Sequence, residues 1–313
     1  MTTLVPTPTT RGARRARRFA LSSAVTLIIL VLALYLGVST YAASVVTLPQ
    51  RDAVVNTPAT FGARFEEVRF PARGGDVEIA GWYVPQVGAT RAIVLVHGKD
   101  SSRSTEFDGR FSELAAALHD RGFTVLLIDM RGHGDSGAAR FSFGLAERRD
   151  IIGAVDWLES QGFGRGRIGV LGVSMGAASA IGAAADDPDI GALAADCSYA
   201  DIEPLLQRHW TNASGLPLIF LPSTLLMGRL MLGMDLASAR PVEEIDDIAP
   251  RPVLIIHGAA DAFTPVEHGR ELAAAAPRAE YWEVTGAGHA RSYAVDPQAY
   301  VERVARFFER GLR

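Results

Sequence analysis

Short, continuous apolar runs alternate with amphipathic stretches along most of this chain. Residues 92–96, 124–128, 167–171, 191–196 and 252–257 are mostly apolar without a polar alternation, and 280–284 is a further short strand candidate. That pattern predicts strands covered on both faces. Residues 107–120, 146–160, 175–185, 265–275 and 297–310 carry apolar positions at helical spacing. Two earlier segments, 65–70 and 77–84, do alternate, and Gly74-Gly75-Asp76 between them reads as a hairpin turn. The pattern predicts an α/β fold with a doubly wound, mostly parallel sheet.

Two segments break the alternation. Residues 199–249 lie between predicted strands and are too long for one crossover helix. They include the apolar stretch 216–222 and Leu225-Leu226-Met227. Pro217, Pro222 and Arg229 argue against a membrane span there, so the segment reads as an apolar helical lid over a pocket. At the other end, no charged residue occurs between Arg18 and Arg51. The run from Phe19 to Tyr41 meets the roughly 20 apolar residues a spanning helix needs. Arg11, Arg14, Arg15, Arg17 and Arg18 mark the cytoplasmic side by the positive-inside rule, which exports the body. The expected organisation is a basic cytoplasmic tail over 1–18, a single-pass anchor over 19–46, a tether over 47–63 and one domain over 64–313. A secretory signal cleaved near Thr40-Tyr41-Ala42 or Ala42-Ala43-Ser44 is the alternative, and it would release the domain from the membrane.

Composition narrows the class. The 313 residues suit one large domain beside the apolar start. All 35 acidic residues follow the arginine-rich start, so the body is net acidic. Its arginines are dispersed, which predicts no nucleic-acid partner. Cys197 is the sole cysteine; it permits no intrachain disulfide and reads as a buried position at the end of a strand.

The chemistry begins at Gly172-Val173-Ser174-Met175-Gly176, a G-x-S-x-G at a strand-to-helix junction. A serine needs a base to take its proton and an acid to orient that base. Asp261 follows the strand at 252–257 within H-G-A-A-D, and His289 follows the last strand within G-A-G-H. All three residues fall at carboxyl ends of strands, where such sheets collect their functional groups. Upstream, His97-Gly98-Lys99-Asp100 follows a strand, and the backbone N–H groups of Lys99 and Met175 are the expected oxyanion donors. Asp129-Met130-Arg131-Gly132-His133-Gly134-Asp135-Ser136 forms a further glycine-rich loop with a structural role. Asp196, also at a strand end, competes with Asp261 for the orienting acid.

These five loops, in this order, resemble the α/β-hydrolase superfamily over residues 64–313. They are most similar to membrane-anchored bacterial serine hydrolases of the Bem46-like, dipeptidyl-peptidase-related kind. The resemblance implies Ser174 as nucleophile, Asp261 as orienting acid and His289 as general base. H-G-K-D stands here in place of the H-G-G-G of many lipases and esterases, which weighs against bulky-alcohol lipase substrates. His97, His133 and His257 are expected to be structural, and His119, His209 and His268 to lie on helix surfaces. No histidine pair has H-x-x-x-H spacing, so neither metal nor cofactor is expected. The sequence therefore points to a serine hydrolase of carboxylesterase type acting on a small acyl substrate with a short or medium acyl group. A peptidase or acyltransferase on the same fold, and a non-catalytic binding protein, remain as alternatives.

Overall fold

The computed structural model describes residues 11–51 and 53–312. Residues 1–10, most of the expected basic tail, lie outside the described residues, as do Asp52 in the expected tether and Arg313. Eight strands form one sheet: β1 Glu66–Pro71, β2 Glu78–Val84, β3 Ala92–Val96, β4 Thr124–Ile128, β5 Ile168–Val173, β6 Ile190–Asp196, β7 Val253–Gly258 and β8 Glu280–Val284. Their order is β1-β2-β4-β3-β5-β6-β7-β8. β2 is antiparallel to β1 and β4, and all other pairs are parallel. The longer helices are α1 Arg11–Val46, α2 Phe111–Asp120, α3 Arg148–Ser160, α4 Met175–Asp186, α5 Ile202–Ser214, α6 Leu221–Leu232, α7 Val266–Ala275 and α8 Pro297–Gly311.

The apolar runs are continuous in β3 to β7 because each of these strands feeds two cores. Val94 and Val96 of β3 pack with α3, α4 and α7 on one face. Ile93 and Leu95 of the same strand pack with α2 and α8 on the other. Small residues let these layers close. A Cβ on Gly169 of β5 would lie 2.5 Å from the Phe308 ring of α8, and one on Gly153 of α3 would lie 2.5 Å from the Pro71 carbonyl.

Helix α1 starts within the arginine-rich segment. Its Gly12–Val46 portion is long and apolar enough to cross a membrane, and its most apolar stretch is unburied. Only its final turns meet the body. There Ala42 packs with Trp210 of α5 and Leu221 of α6, and Ser39 and Ser223 share a buried hydrogen bond of 2.7 Å. Helices α5 and α6 turn by 116° about each other, with Gly215 in the left-handed region closing α5.

Two expectations need correction. The predicted helix over 107–120 is broken, because Phe107 and Asp108 have left-handed φ angles of 54° and 57°. The continuous helix begins only at Phe111. The expected tether is strapped to the body. Arg51 donates to the carbonyls of Gly132 and Ser136 at 3.0 and 2.7 Å. The N–H groups of Val55 and Asn56 donate to Ser104 Oγ. Pro58–Phe61 forms a 3-10 turn. These bonds run from backbone to distant side chains, which leaves no periodic trace in the sequence.

Alanine is the better helix former, by about 1 kcal/mol over glycine. Gly153→Ala in α3 should nevertheless lower the unfolding free energy, by about 1–3 kcal/mol, because its methyl group meets backbone. Gly164→Ala, with no atom within 4 Å, should stay within about 0.5 kcal/mol of wild type. Urea unfolding of the two variants checks both, and equal midpoints would refute the packing account.

Candidate active site

β5 ends at Val173, and the chain reverses at Ser174, whose φ of 54° and ψ of −118° fall where L-residues rarely sit. The surroundings fix this geometry. The Ser174 N–H donates to the Asp196 carbonyl at 2.8 Å, and the Ser174 carbonyl accepts from Ala177 and Ala178 as α4 begins. A Cβ on Gly172 would lie 2.4 Å from the Gly176 carbonyl oxygen, and one on Gly176 would lie 2.3 Å from the His97 carbonyl oxygen. Both glycines of the motif are thus steric requirements of the turn.

The structure brings Ser174, His289 and Asp261 into one hydrogen-bonded line. Ser174 Oγ lies 2.9 Å from His289 Nε2, and His289 Nδ1 lies 2.7 Å from Asp261 Oδ2. Asp261 Oδ1 accepts from the N–H groups of Phe263 and Thr264 at 2.9 and 2.8 Å. A carboxylate so placed can only accept, so the His289 proton belongs on Nδ1 and Nε2 is left to accept from the serine. His257 Nε2 donates to the Thr264 carbonyl at 2.8 Å and props the same turn.

Asp196 faces elsewhere. Its carboxylate accepts from Ser292 Oγ and Tyr300 Oη, both at 3.0 Å, within the core. It supports the serine through its backbone carbonyl.

The turn after β3 is held on both sides. His97 Nε2 accepts from the Met130 N–H at 3.0 Å, and His97 Nδ1 lies 2.6 Å from the Gly98 carbonyl. Burial pushes the imidazole pKa well below its ordinary value, so the ring is neutral and donates through Nδ1. On the other side, the Gly98 N–H donates to Glu106 Oε2 at 2.6 Å. Together these bonds fix the Gly98–Lys99 peptide and hence the direction of the Lys99 N–H. Glu106 was not apparent from the sequence: it lies in no motif, and its contact with Gly98 is tertiary. Burial raises its pKa against the N–H bonds that favour the carboxylate.

The glycine-rich loop after β4 braces this turn. Asp129 accepts from the Arg103 N–H and guanidinium at 2.8 and 2.6 Å, and from the Asp135 N–H at 2.9 Å. Ser174 and Met175 open onto a cavity of about 300 Å³. Its polar lining side chains include Gln50, Lys99, Asp100 and His209. His209 therefore lines the cavity instead of lying on an outer helix surface. Its Nε2 lies 2.8 Å from the Phe263 carbonyl, and its ring stacks on Phe263 at 4.4 Å. Among the described residues, Cys197, Asp261 and His289 are the one trio spaced for a metal, within 4.8 Å of one another. Asp261 and His289 already bond each other there, and burial pushes the Cys197 thiol pKa well up, so the trio is a poor cation donor set.

The family model for X-Pro dipeptidyl-peptidases (S15 family) matches residues 59–306. The chain belongs to this S15 family. Its fold and its solved neighbours make it an α/β-hydrolase and a hydrolytic enzyme. This S15 member is 30% identical to the Mycobacterium tuberculosis protein Rv2307c over 235 residues, covering 74% of this chain and 75% of that one. It is 30% identical to Bacillus subtilis YqkD over 239 residues, with the same coverage. Among solved structures it superimposes on the Pyrococcus furiosus esterase Pf2001 with a TM-score of 0.70 and 26% identity, over 85% of this chain and 98% of that one.

Burial pushes the Asp196 carboxyl in this S15 member up to about 7. Folding raises this pKa, so the folded chain holds a proton that the unfolded chain releases. The associated stability is complete below the ordinary carboxylate value and is lost as pH rises toward about 7. Asp196→Asn should remove that dependence. Between about pH 4 and pH 8, wild type should lose stability relative to the variant, on the order of a few kcal/mol. Parallel pH–stability curves for the two proteins would contradict this.

Proposed function

We propose that this chain is a membrane-anchored serine carboxylesterase that works through Ser174, His289 and Asp261. One observation carries the reading: the line of 2.9 and 2.7 Å from Ser174 Oγ through His289 to Asp261 opens onto a largely apolar cavity. In the first half-reaction Ser174 Oγ bonds the ester carbonyl carbon while His289 Nε2 takes the hydroxyl proton. The carbonyl electron pair moves to oxygen, where the N–H groups of Lys99 and Met175 receive the charge, aided by the N-terminus of α4. Collapse breaks the carbon–oxygen bond, and the alcohol leaves with the proton from Nε2. Water then adds to the acyl-enzyme as His289 takes its proton, and the carboxylic acid departs as Oγ is reprotonated. The net reaction converts ester and water into acid and alcohol. Asp261 stays ionised and stabilises the imidazolium formed in each half.

The family's name suggests a dipeptidyl-peptidase, which must hold the ammonium group of a peptide amino terminus. Among the described residues lining the cavity, the one carboxylate is Asp100, and it is paired with Lys99. That favours an uncharged acyl group over a peptide amino terminus. Retention of the anchor is supported by the side-chain bonds from α1 to the body. Ser39 bonds Ser223, and Arg140 bonds Ser44 Oγ at 2.9 Å.

A fluorophosphonate probe should label the full-length protein, and Ser174→Ala should abolish the labelling. Asp261→Asn should lower kcat by about 10⁴-fold, whereas Asp196→Asn should cost less than about tenfold. No labelling of folded wild type would sink the enzyme reading, and equal losses in the two Asp variants would reassign the acid. An alkaline phosphatase reporter fused after residue 313 should be active, as expected for an exported body; activity of a cytoplasmic reporter alone would invert the topology.

A further inference from the structure

The cavity in front of Ser174 is not walled by the catalytic domain alone. Val45 and Val46, in the last turn of α1, and Leu48 just beyond it form one side. Leu205 and Leu206 of α5 line the cavity as well. The membrane-crossing helix and the acyl pocket are therefore one continuous apolar surface.

A second, smaller void of about 10 Å³ extends this surface along α1. It shares Val46, Phe143 and Leu206 with the main cavity, and its further lining includes Ala43, Leu221 and Leu225. Thr224 Oγ1 is buried against it without a hydrogen-bond partner. Below the void, α6 and the turn before it follow α1 further. Tyr35 donates to the Ile219 carbonyl at 2.6 Å, and its ring lies 4.8 Å from Phe220.

The depth of these contacts follows from helix geometry. From Phe19, twenty residues at roughly 1.5 Å each cover about 30 Å, a full hydrocarbon core ending near Val38. Tyr35 and its partner Ile219 then sit about 5 Å inside that limit, and Val45 about 10 Å beyond it. The outward side chains of the lid fit an apolar medium at that level. Ile219 is 68% and Leu230 70% exposed, and Leu218 and Leu226 are half-exposed. Such a cluster, contiguous with a spanning helix, is a membrane-facing surface.

We infer that the substrate is a single-chain acyl ester resident in the membrane, which slides its chain up along α1 into a pocket that the anchor itself completes. The inference rests on the esterase reading above. The cavity, of about 300 Å³, has room for one medium-length chain. The ester then lies at Ser174, among the polar lining side chains Lys99, Asp100 and His209.

The test uses the full-length protein in phosphatidylcholine vesicles with p-nitrophenyl acetate and p-nitrophenyl decanoate. Val45→Trp places bulk at a half-exposed pocket wall. It should lower the decanoate-to-acetate ratio of kcat/KM by about tenfold or more. Leu48→Ala enlarges the same wall without adding bulk and should shift the preference toward longer chains. The double variant Ile219→Asp, Leu230→Asp should slow hydrolysis of decanoate held in vesicles while leaving acetate hydrolysis unchanged. If wild type hydrolyses neither ester, the esterase reading falls. If it hydrolyses both and the Val45 and Leu48 variants leave chain-length preference untouched, the esterase reading stands and the anchor-walled pocket is wrong. An unaltered rate in the double variant would overturn entry from the membrane.

Discussion

Everything at the site depends on one backbone contact. Gly176, in the first turn of α4, packs against the His97 carbonyl at a distance that leaves no room for a side chain. β3 and β5 are neighbours in the sheet, with Val96 opposite Gly172, so their carboxyl ends meet at that point. The contact brings the turn after β3 beside the start of α4, and it sets the left-handed bend that lifts Ser174 out of the sheet. A serine on a relaxed turn would have neither the exposure nor the two flanking N–H groups. The strain at Ser174 is modest, of order 1–3 kcal/mol, against two cores packed on either face.

Polar groups then divide the labour by depth. Asp261 lies just past β7 with one oxygen held by backbone amides and the other free for His289. Asp196, one strand nearer to Ser174, is committed to Ser292 and Tyr300 and contributes only its carbonyl. Two carboxylates at adjacent strand ends thus differ in role because of what surrounds them. Glu106 and His97 work at one remove again: they hold the two sides of Gly98 and act on the reacting region only through the peptide they fix.

The strand pattern was legible because a parallel sheet buried on both faces demands unbroken apolar runs. β3 and β4 begin and end where those runs do. The three side chains that meet at the site were legible through their places in five ordered loops. What escaped was long-range and aperiodic. Glu106 carries no motif, and its value lies in reaching back to Gly98. The break at Phe107 and Asp108 places non-glycine residues in the left-handed region, where no local signal marks it. His209 sits on a helix whose spacing gives no hint that Phe263 folds over to stack on it. The segment after α1 looks structureless in the sequence because its ties are aperiodic: the Val55 and Asn56 N–H groups donate to Ser104 Oγ, and the Arg51 and Asn56 side chains donate to the Ser136 and Gly109 carbonyls.

That strap has a mechanical consequence. Arg51 is clamped to the loop after β4, and Arg140 grips the end of α1. The helix end and the segment after it are thus tied to the body at two separate points, Ser44 and Arg51. These ties set the heading of the cavity mouth relative to the axis of α1, so the helix serves as a reference direction from which the serine is approached.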